Sequence, residues 1–268
     1  MTGLSALPAG TLVDRALAEL AGGPCSSVDL STRVLGLPNA PAAVADRIAV
    51  ALLGADPRVQ RLSGDRWALA ASATGSPLLE ECAFAVVDVE TTGSRAGVDD
   101  RITEIAVVVQ QGNRREVVFE SLIDPGRPIP PQVTAITGIS DATVRGAPAF
   151  ADVADQVIAA LSGRVFVAHN ARFDWGFVGA ELKRTRDVVL DGPRLCTVRL
   201  SRRLVRGVTS CALDSMTAFF GFENAARHRA VGDALVTAQL LERLLPLARE
   251  HGARTYQDLE QLQRKAAA

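Results

Sequence analysis

Phe84-Ala85-Val86-Val87-Asp88-Val89-Glu90-Thr91-Thr92-Gly93 decides how this chain is read, because an apolar run ends there on two carboxylates one residue apart. A strand alternates its side chains between two faces, so Asp88 and Glu90 project from one face while Val87 and Val89 pack on the other. Two bare carboxylates that close repel each other, and a divalent cation that prefers oxygen ligands relieves the repulsion. Alone, a D-x-E after apolar residues also describes any strand edge running into a polar turn. The metal-site reading therefore rests on what lies downstream.

Two further stretches pose the same problem. Val167-Ala168-His169-Asn170-Ala171-Arg172-Phe173-Asp174 sets a carboxylate just inside a helix that follows a buried strand, and His228-Arg229-Ala230-Val231-Gly232-Asp233 sets another in the first turn of the last long helix. Five positions before Asp233, His228 is off that helical face and belongs to the loop ahead of it, free to lean over the same spot. Asp88, Glu90, Asp174, Asp233 and the His228 imidazole are thus predicted to converge.

The three motifs D-V-E-T-T-G, H-N-A-R-F-D and H-R-A-V-G-D, in this order, resemble those of the DnaQ-like DEDDh 3'-5' exonucleases, the family of DNA polymerase III epsilon-type proofreading domains. The resemblance covers about residues 83–248, and Ile136-Thr137-Gly138-Ile139 and Leu195-Cys196-Thr197 add to it. It implies an α/β, ribonuclease-H-like fold with a five-stranded mixed sheet flanked by helices, the first three strands antiparallel. It also implies two divalent cations, Mg or Mn, with Asp88 bridging both, Glu90 and Asp233 holding the ion that carries the attacking water, Asp174 supporting the second and His228 as general base. The physics agrees: two ions ~4 Å apart can ready a water and neutralise the leaving oxygen of an in-line displacement. An imidazole, with an ordinary pKa near ~6.5, can take the proton at neutral pH, an effect worth roughly a hundred to ten thousand-fold.

The neighbouring residues have weaker claims. Thr91 and Thr92 sit where the family engages the terminal sugar, although a turn rich in hydroxyls accounts for them equally. Asn170 and Phe173 flank Asp174, and one of them is expected to touch the substrate strand, since an aromatic face stacks on a base for roughly 1–3 kcal/mol; core packing is the competing role for Phe173. His169 is expected to be structural. Asp99, Asp100 and Glu104 form a second acidic cluster that reads as a solvated turn. Arg199, Arg202, Arg203 and Arg206 recur at helical spacing and suit either a phosphate track or a charged outer helix face, with Leu200 and Leu204 marking the buried side.

Composition bounds the rest. The chain has 48% hydrophobic and 22% charged residues, and 29 basic against 30 acidic residues leave a net charge of -1, which excludes a protein that coats nucleic acid by bulk charge. Cys25, Cys82, Cys196 and Cys211 show no C-x-x-C spacing, so neither a zinc site nor a disulfide framework is predicted. Residues 1–10 lack a basic start followed by an apolar core, and no run approaches the ~18 apolar residues of a membrane span, so the expected location is the cytoplasm and no membrane partner is expected.

Helical spacing predicts helices at 11–20, 27–35 and 40–53, and Val59-Gln60-Arg61-Leu62 with Arg66-Trp67-Ala68-Leu69 predicts a hairpin. This order resembles a winged helix. Residues 1–72 are expected to form that small α+β module, 73–82 a linker, 83–250 the exonuclease domain and 251–268 a C-terminal tail. Within the main domain strands are predicted at 84–89, 102–110, 115–123 and 164–168, and helices at about 149–161, 171–185, 195–205, 212–220 and 231–248. Gln257-Asp258-Leu259-Glu260-Gln261-Leu262 is a faint likeness of a clamp-binding motif and reads rather as a short amphipathic tail.

The module carries Arg15, Arg33, Arg47, Arg58, Arg61 and Arg66 against Asp14, Glu19, Asp29, Asp46, Asp56 and Asp65. A duplex-binding winged helix neutralises several phosphates, so this balance predicts recruitment of a protein partner or weak positioning of substrate. The function implied overall is a metal-dependent 3'-5' exonuclease that releases nucleoside 5'-monophosphates from the 3' end of single-stranded DNA or short oligonucleotides. An exoribonuclease remains an alternative, because the same site serves either sugar. A nucleic-acid or partner-binding regulator with an idle nuclease fold is a third, disfavoured by the intact set of five residues.

Overall fold

The computed structural model describes residues 11–56, 58–70, 76–224 and 226–264. It divides into two compact units, one of residues up to 78 together with 250–256, the other of 79–249 with 257 onward. The expected linker begins among residues 71–75, which lie outside the described ones.

In the first unit α1 (Leu12–Ala21), β1 (Cys25–Ser26), α2 (Ser27–Leu35), α3 (Ala42–Leu53), β2 (Val59–Arg61) and β3 (Arg66–Leu69) follow in order. Capping boxes start the first two helices, Thr11 with Asp14 and Ser26 with Asp29, each satisfying backbone donors that a helix start leaves open. Ala16, Leu20, Leu30, Val34, Ala49, Leu53 and Trp67 form a core of their own. The strands pair antiparallel in the order β1-β3-β2, the small sheet of a winged-helix-like module. Two-residue β1 escaped prediction because it runs straight into the Ser26 cap of α2 and shows no alternation.

The second unit is built on β4 (Phe84–Thr91), β5 (Ile102–Gln111), β6 (Arg114–Leu122), β7 (Val165–Ala168) and β8 (Arg194–Cys196), with α4 (Pro131–Thr137), α5 (Phe150–Leu161), α6 (Arg172–Arg186), α7 (Thr197–Leu204), α8 (Leu213–Phe220), α9 (Ala230–Glu250) and α10 (Tyr256–Arg264). The sheet order is β6-β5-β4-β7-β8. The first three strands form an antiparallel meander, while β7 and β8 join parallel after helical crossovers. Ala85, Val87 and Val89 pack with Phe150, Val157, Phe177 and Val178 of α5 and α6, leaving the alternate positions of β4 for the site.

Both edges of the sheet are guarded. Strand β6 exposes Arg114, Arg115, Glu116 and Glu120, charges that discourage edge-to-edge pairing. Residues 195–196, read from sequence as the start of a helix, belong instead to the edge strand β8, and the helix begins at Thr197. Three residues are too few to show alternation. Gln263 covers this edge, its Nε2 donating to Arg194 O at 2.9 Å and its Oε1 accepting from Cys196 N at 2.9 Å. The short amphipathic tail expected there is helix α10 from Tyr256, with Leu259 wholly buried on its apolar side. No helix among the described residues is long and apolar enough to cross a membrane.

Candidate active site

Strand β4 delivers the first two carboxylates. Asp88 pairs in register with Ala106 and Glu90 with Glu104, and a bulge between Glu90 and Thr91 ends the regular ladder. The chain then turns tightly, and a Cβ at Gly93 would lie 2.5 Å from Asp100 Oδ2, so any larger residue would push that carboxylate aside. Thr91 and Thr92 are buried in this turn. Thr91 Oγ1 donates to Gly93 O at 2.5 Å, and Thr92 Oγ1 accepts from Arg101 N at 3.0 Å and donates to Asp100 Oδ1 at 3.3 Å. Both hydroxyls thus hold the turn.

Asp174 enters from the first turn of α6, almost fully buried. N–H groups of its own residue and of Val89 donate to its carboxylate, which ties it to the strand between Asp88 and Glu90. Asp233 enters from the first turn of α9, where Asn224 Nδ2 donates to its Oδ1 at 2.6 Å and the His228 N–H also donates to it. His228 sits in the loop before α9, as its spacing predicted, with a left-handed backbone at φ 58°. Gly232 permits the loop to close on the helix, since a Cβ would lie 2.2 Å from Ala226 O.

Ligand atoms of Asp88, Glu90 and Asp233 all lie within 4.8 Å of one another. Burial first, and then the charges of Asp174, Asp233, Glu90 and Glu104, hold the Asp88 carboxyl well above the usual carboxylate range. Glu90 is pushed up to about 8 by burial and then by Asp233, Glu104 and Asp174, with Arg229 opposing. Burial pushes Asp174 up to about 7 against its N–H donors. Asp233 is raised by burial, with Asn224 and His228 working the other way. Such a group cannot stay fully ionised by itself at neutral pH, and a dense set of hard oxygen donors under mutual repulsion fits a divalent cation.

Of the remaining predicted residues, Asn170 is exposed in a left-handed conformation at φ 75°, just ahead of α6. Phe173 packs against Phe177 with ring centroids 4.9 Å apart, at the margin of the core. His169 is structural: its Nε2 donates to Cys211 O at 3.0 Å, so its Nδ1 accepts from the Thr197 hydroxyl at 2.9 Å, and burial pushes its pKa down to about 4.

The second acidic cluster is not a solvated turn. Asp99 is exposed, but Asp100 and Glu104 are buried, and Glu104 accepts from Arg229 Nε at 3.1 Å and from Ala230 N at 2.8 Å. Glu104 thereby fixes the start of α9, the turn that carries Asp233. Sequence reasoning missed this pair and Asn224, because 125 residues separate Glu104 from Arg229 and no periodicity connects them.

The RNase_T exonuclease family model matches residues 85–241. Over 193 residues the chain is 38% identical to a DNA polymerase III subunit epsilon-like protein of Rhodobacter capsulatus, covering 69% of this chain and 27% of that protein. It is 31% identical over 182 residues to the DNA polymerase III subunit epsilon of Aquifex aeolicus, covering 68% of this chain and 90% of that one. The chain spans 29% of a second long relative, a putative bifunctional exonuclease/endonuclease protein of Mycobacterium tuberculosis, at 37% identity. Among solved structures, exonuclease X in complex with 5' overhanging duplex DNA aligns with a TM-score of 0.53 and 27% identity, over 67% of this chain and 99% of that one.

Proposed function

The chain belongs to the RNase_T exonuclease family, and from that premise we propose that it is a metal-dependent 3'-5' exonuclease acting on single-stranded DNA ends or short oligonucleotides. The observation that carries the reading is the cluster of Asp88, Glu90 and Asp233 within 4.8 Å, with Asp174 tied to the same strand and His228 in the adjoining loop. Asp88, Glu90, Asp174 and Asp233 would hold two divalent cations, Mg or Mn. Bound there, the cations supply an attacking water at neutral pH and neutralise the charge on the leaving oxygen.

The chain's own residues do the rest. The His228 imidazole, carried by a loop whose N–H groups anchor Asp233, takes the proton from the attacking water. The water oxygen bonds to phosphorus as the bond to the 3' oxygen of the preceding nucleotide breaks, and that oxygen takes up a proton. A nucleoside 5'-monophosphate leaves. The buried floor of Val87 and Val89 keeps bulk water from the carboxylates on one side.

Parallel digestion of matched 5'-labelled DNA and RNA strands, with products read by mass, tests the reading. A metal-dependent ladder of nucleoside 5'-monophosphates from the 3' end of DNA is the expected result. Faster release from RNA would transfer the assignment to an exoribonuclease, and no release from either would remove it. The N-terminal unit is proposed to recruit a protein partner rather than duplex DNA, on the strength of its charge balance.

A further inference from the structure

A strand longer than one nucleotide must leave the catalytic carboxylates along some surface, and among the described residues two clefts border the elements that carry them. One, of about 550 Å³, is lined by Glu104, Glu120, Arg145 and Arg229 among others. Its charges balance, and Glu104 and Arg229 are already bonded to each other. The other, of about 790 Å³, lies between α7 and the loop that follows it, with His169 and Asn170 on its wall.

The charge of the second cleft's surroundings is one-sided. No Asp or Glu occurs between Asp191 and Asp214, a stretch holding Arg199, Arg202, Arg203 and Arg206. Among the described residues no carboxylate pairs with these four, whereas Arg101, Arg184, Arg186 and Arg229 in the same unit all have carboxylate partners. Arg202 is exposed and lines the cleft, while Leu200 and Leu204 hold α7 to the core from the other side.

The cleft is also preformed. His169 bonds at once to Thr197 at the start of α7 and to the Cys211 carbonyl in the opposite wall, so strand β7 fixes both sides. Val198, Val205 and Val208 give it an apolar lining. Its volume falls in the range of about 300–1,000 Å³ usual for small-ligand sites. Asn170 joins it to the catalytic end, being four positions ahead of Asp174.

Resting on the exonuclease reading above, we infer that this cleft is the track for the nucleotides immediately upstream of the scissile bond. Arg202 meets their backbone phosphates, Asn170 stands at the junction with the carboxylates, and the three valines receive an unstacked base. Phosphate contact by an arginine without an internal partner adds affinity through release of condensed counterions and carries no sequence preference.

Anisotropy of 5'-labelled oligothymidylates with the full chain in EDTA measures binding apart from hydrolysis. Arg202→Glu is expected to raise the Kd of an eight-nucleotide strand at least about tenfold and to reduce the slope of log K against log salt by about one. The Kd of a dinucleotide should change much less. Arg114→Glu, in the hairpin at the opposite end of the sheet, should change neither. An equal loss on both lengths, or a loss no greater than that of Arg114→Glu, overturns the track. If the wild type still releases nucleotides with Mn in that case, only the track has failed. If the wild type releases none, the exonuclease reading has failed and the track with it.

Discussion

His228 and the four carboxylates are proposed to serve one site in different ways. The imidazole is proposed to move a proton, so His228→Ala should retain metal binding and lose roughly a hundred to ten thousand-fold in rate. At saturating metal the acid limb of the pH profile should vanish in the variant, and an unchanged limb would assign the base to another group. The carboxylates have a thermodynamic signature instead. Burial, with neighbouring charge at Glu90, pushes Glu90 up to about 8 and Asp174 up to about 7 in the folded chain, against an ordinary carboxylate value of ~4 when unfolded. The folded state therefore binds more protons than the unfolded one between those values, and metal-free stability falls as pH rises from ~4 to about 8. Glu90→Gln, which cannot ionise, should match the wild type near pH ~4 and melt higher near pH ~8 in EDTA. Equal melting temperatures at both pH values would refute the crowding of charge at this position. Added Mg or Mn should reverse the order, since an ion at a hundred times its dissociation constant adds about 2.7 kcal/mol to the native state alone.

Elements bring these residues together, and how each does so explains what the sequence could disclose. The apolar run from Phe84 revealed the strand, and the alternation of Val87 to Glu90 at its end revealed the face on which its carboxylates stand, because successive side chains of a strand point to opposite faces. Asp174 and Asp233 were legible for a related reason: each follows a recognisable boundary between a loop and a helix. Strand β8 was not legible, being three residues long and continuous with α7. Nor was the burial of Glu104, whose meaning depends on Arg229 and Ala230 across the fold. Gly232 stands between these cases, since its place in H-R-A-V-G-D is plain but its cause is the approach of Ala226 O to where a Cβ would be. Gly232→Ala should force that loop off the helix start at a cost of about 1–3 kcal/mol, which thermal melting would register as a fall of several degrees. Its rate should fall as well, because the displaced loop carries His228. Wild-type melting and rate together would show that the close approach is not required.

Among the described residues each unit has a core of its own, one around Trp67 and one beneath β4, and the five predicted catalytic residues all lie in the second unit. A chain without residues 1–76 should consequently remain folded and cut a short single strand within about threefold of the full-length rate, under 1 kcal/mol of barrier. A tenfold loss by a folded truncation would show that the N-terminal unit helps to build the site. The family assignment leaves open whether this particular set of carboxylates performs hydrolysis, and that is the central claim. Its most direct test is release of nucleoside 5'-monophosphate from a 5'-labelled single strand, with Mg or Mn, by the wild type and by Asp88→Asn. The account predicts metal-dependent release by the wild type and less than about a tenth of that turnover in the variant, because the carboxylate at the centre of a two-metal site has been neutralised. Equal release by a folded Asp88→Asn protein would contradict it.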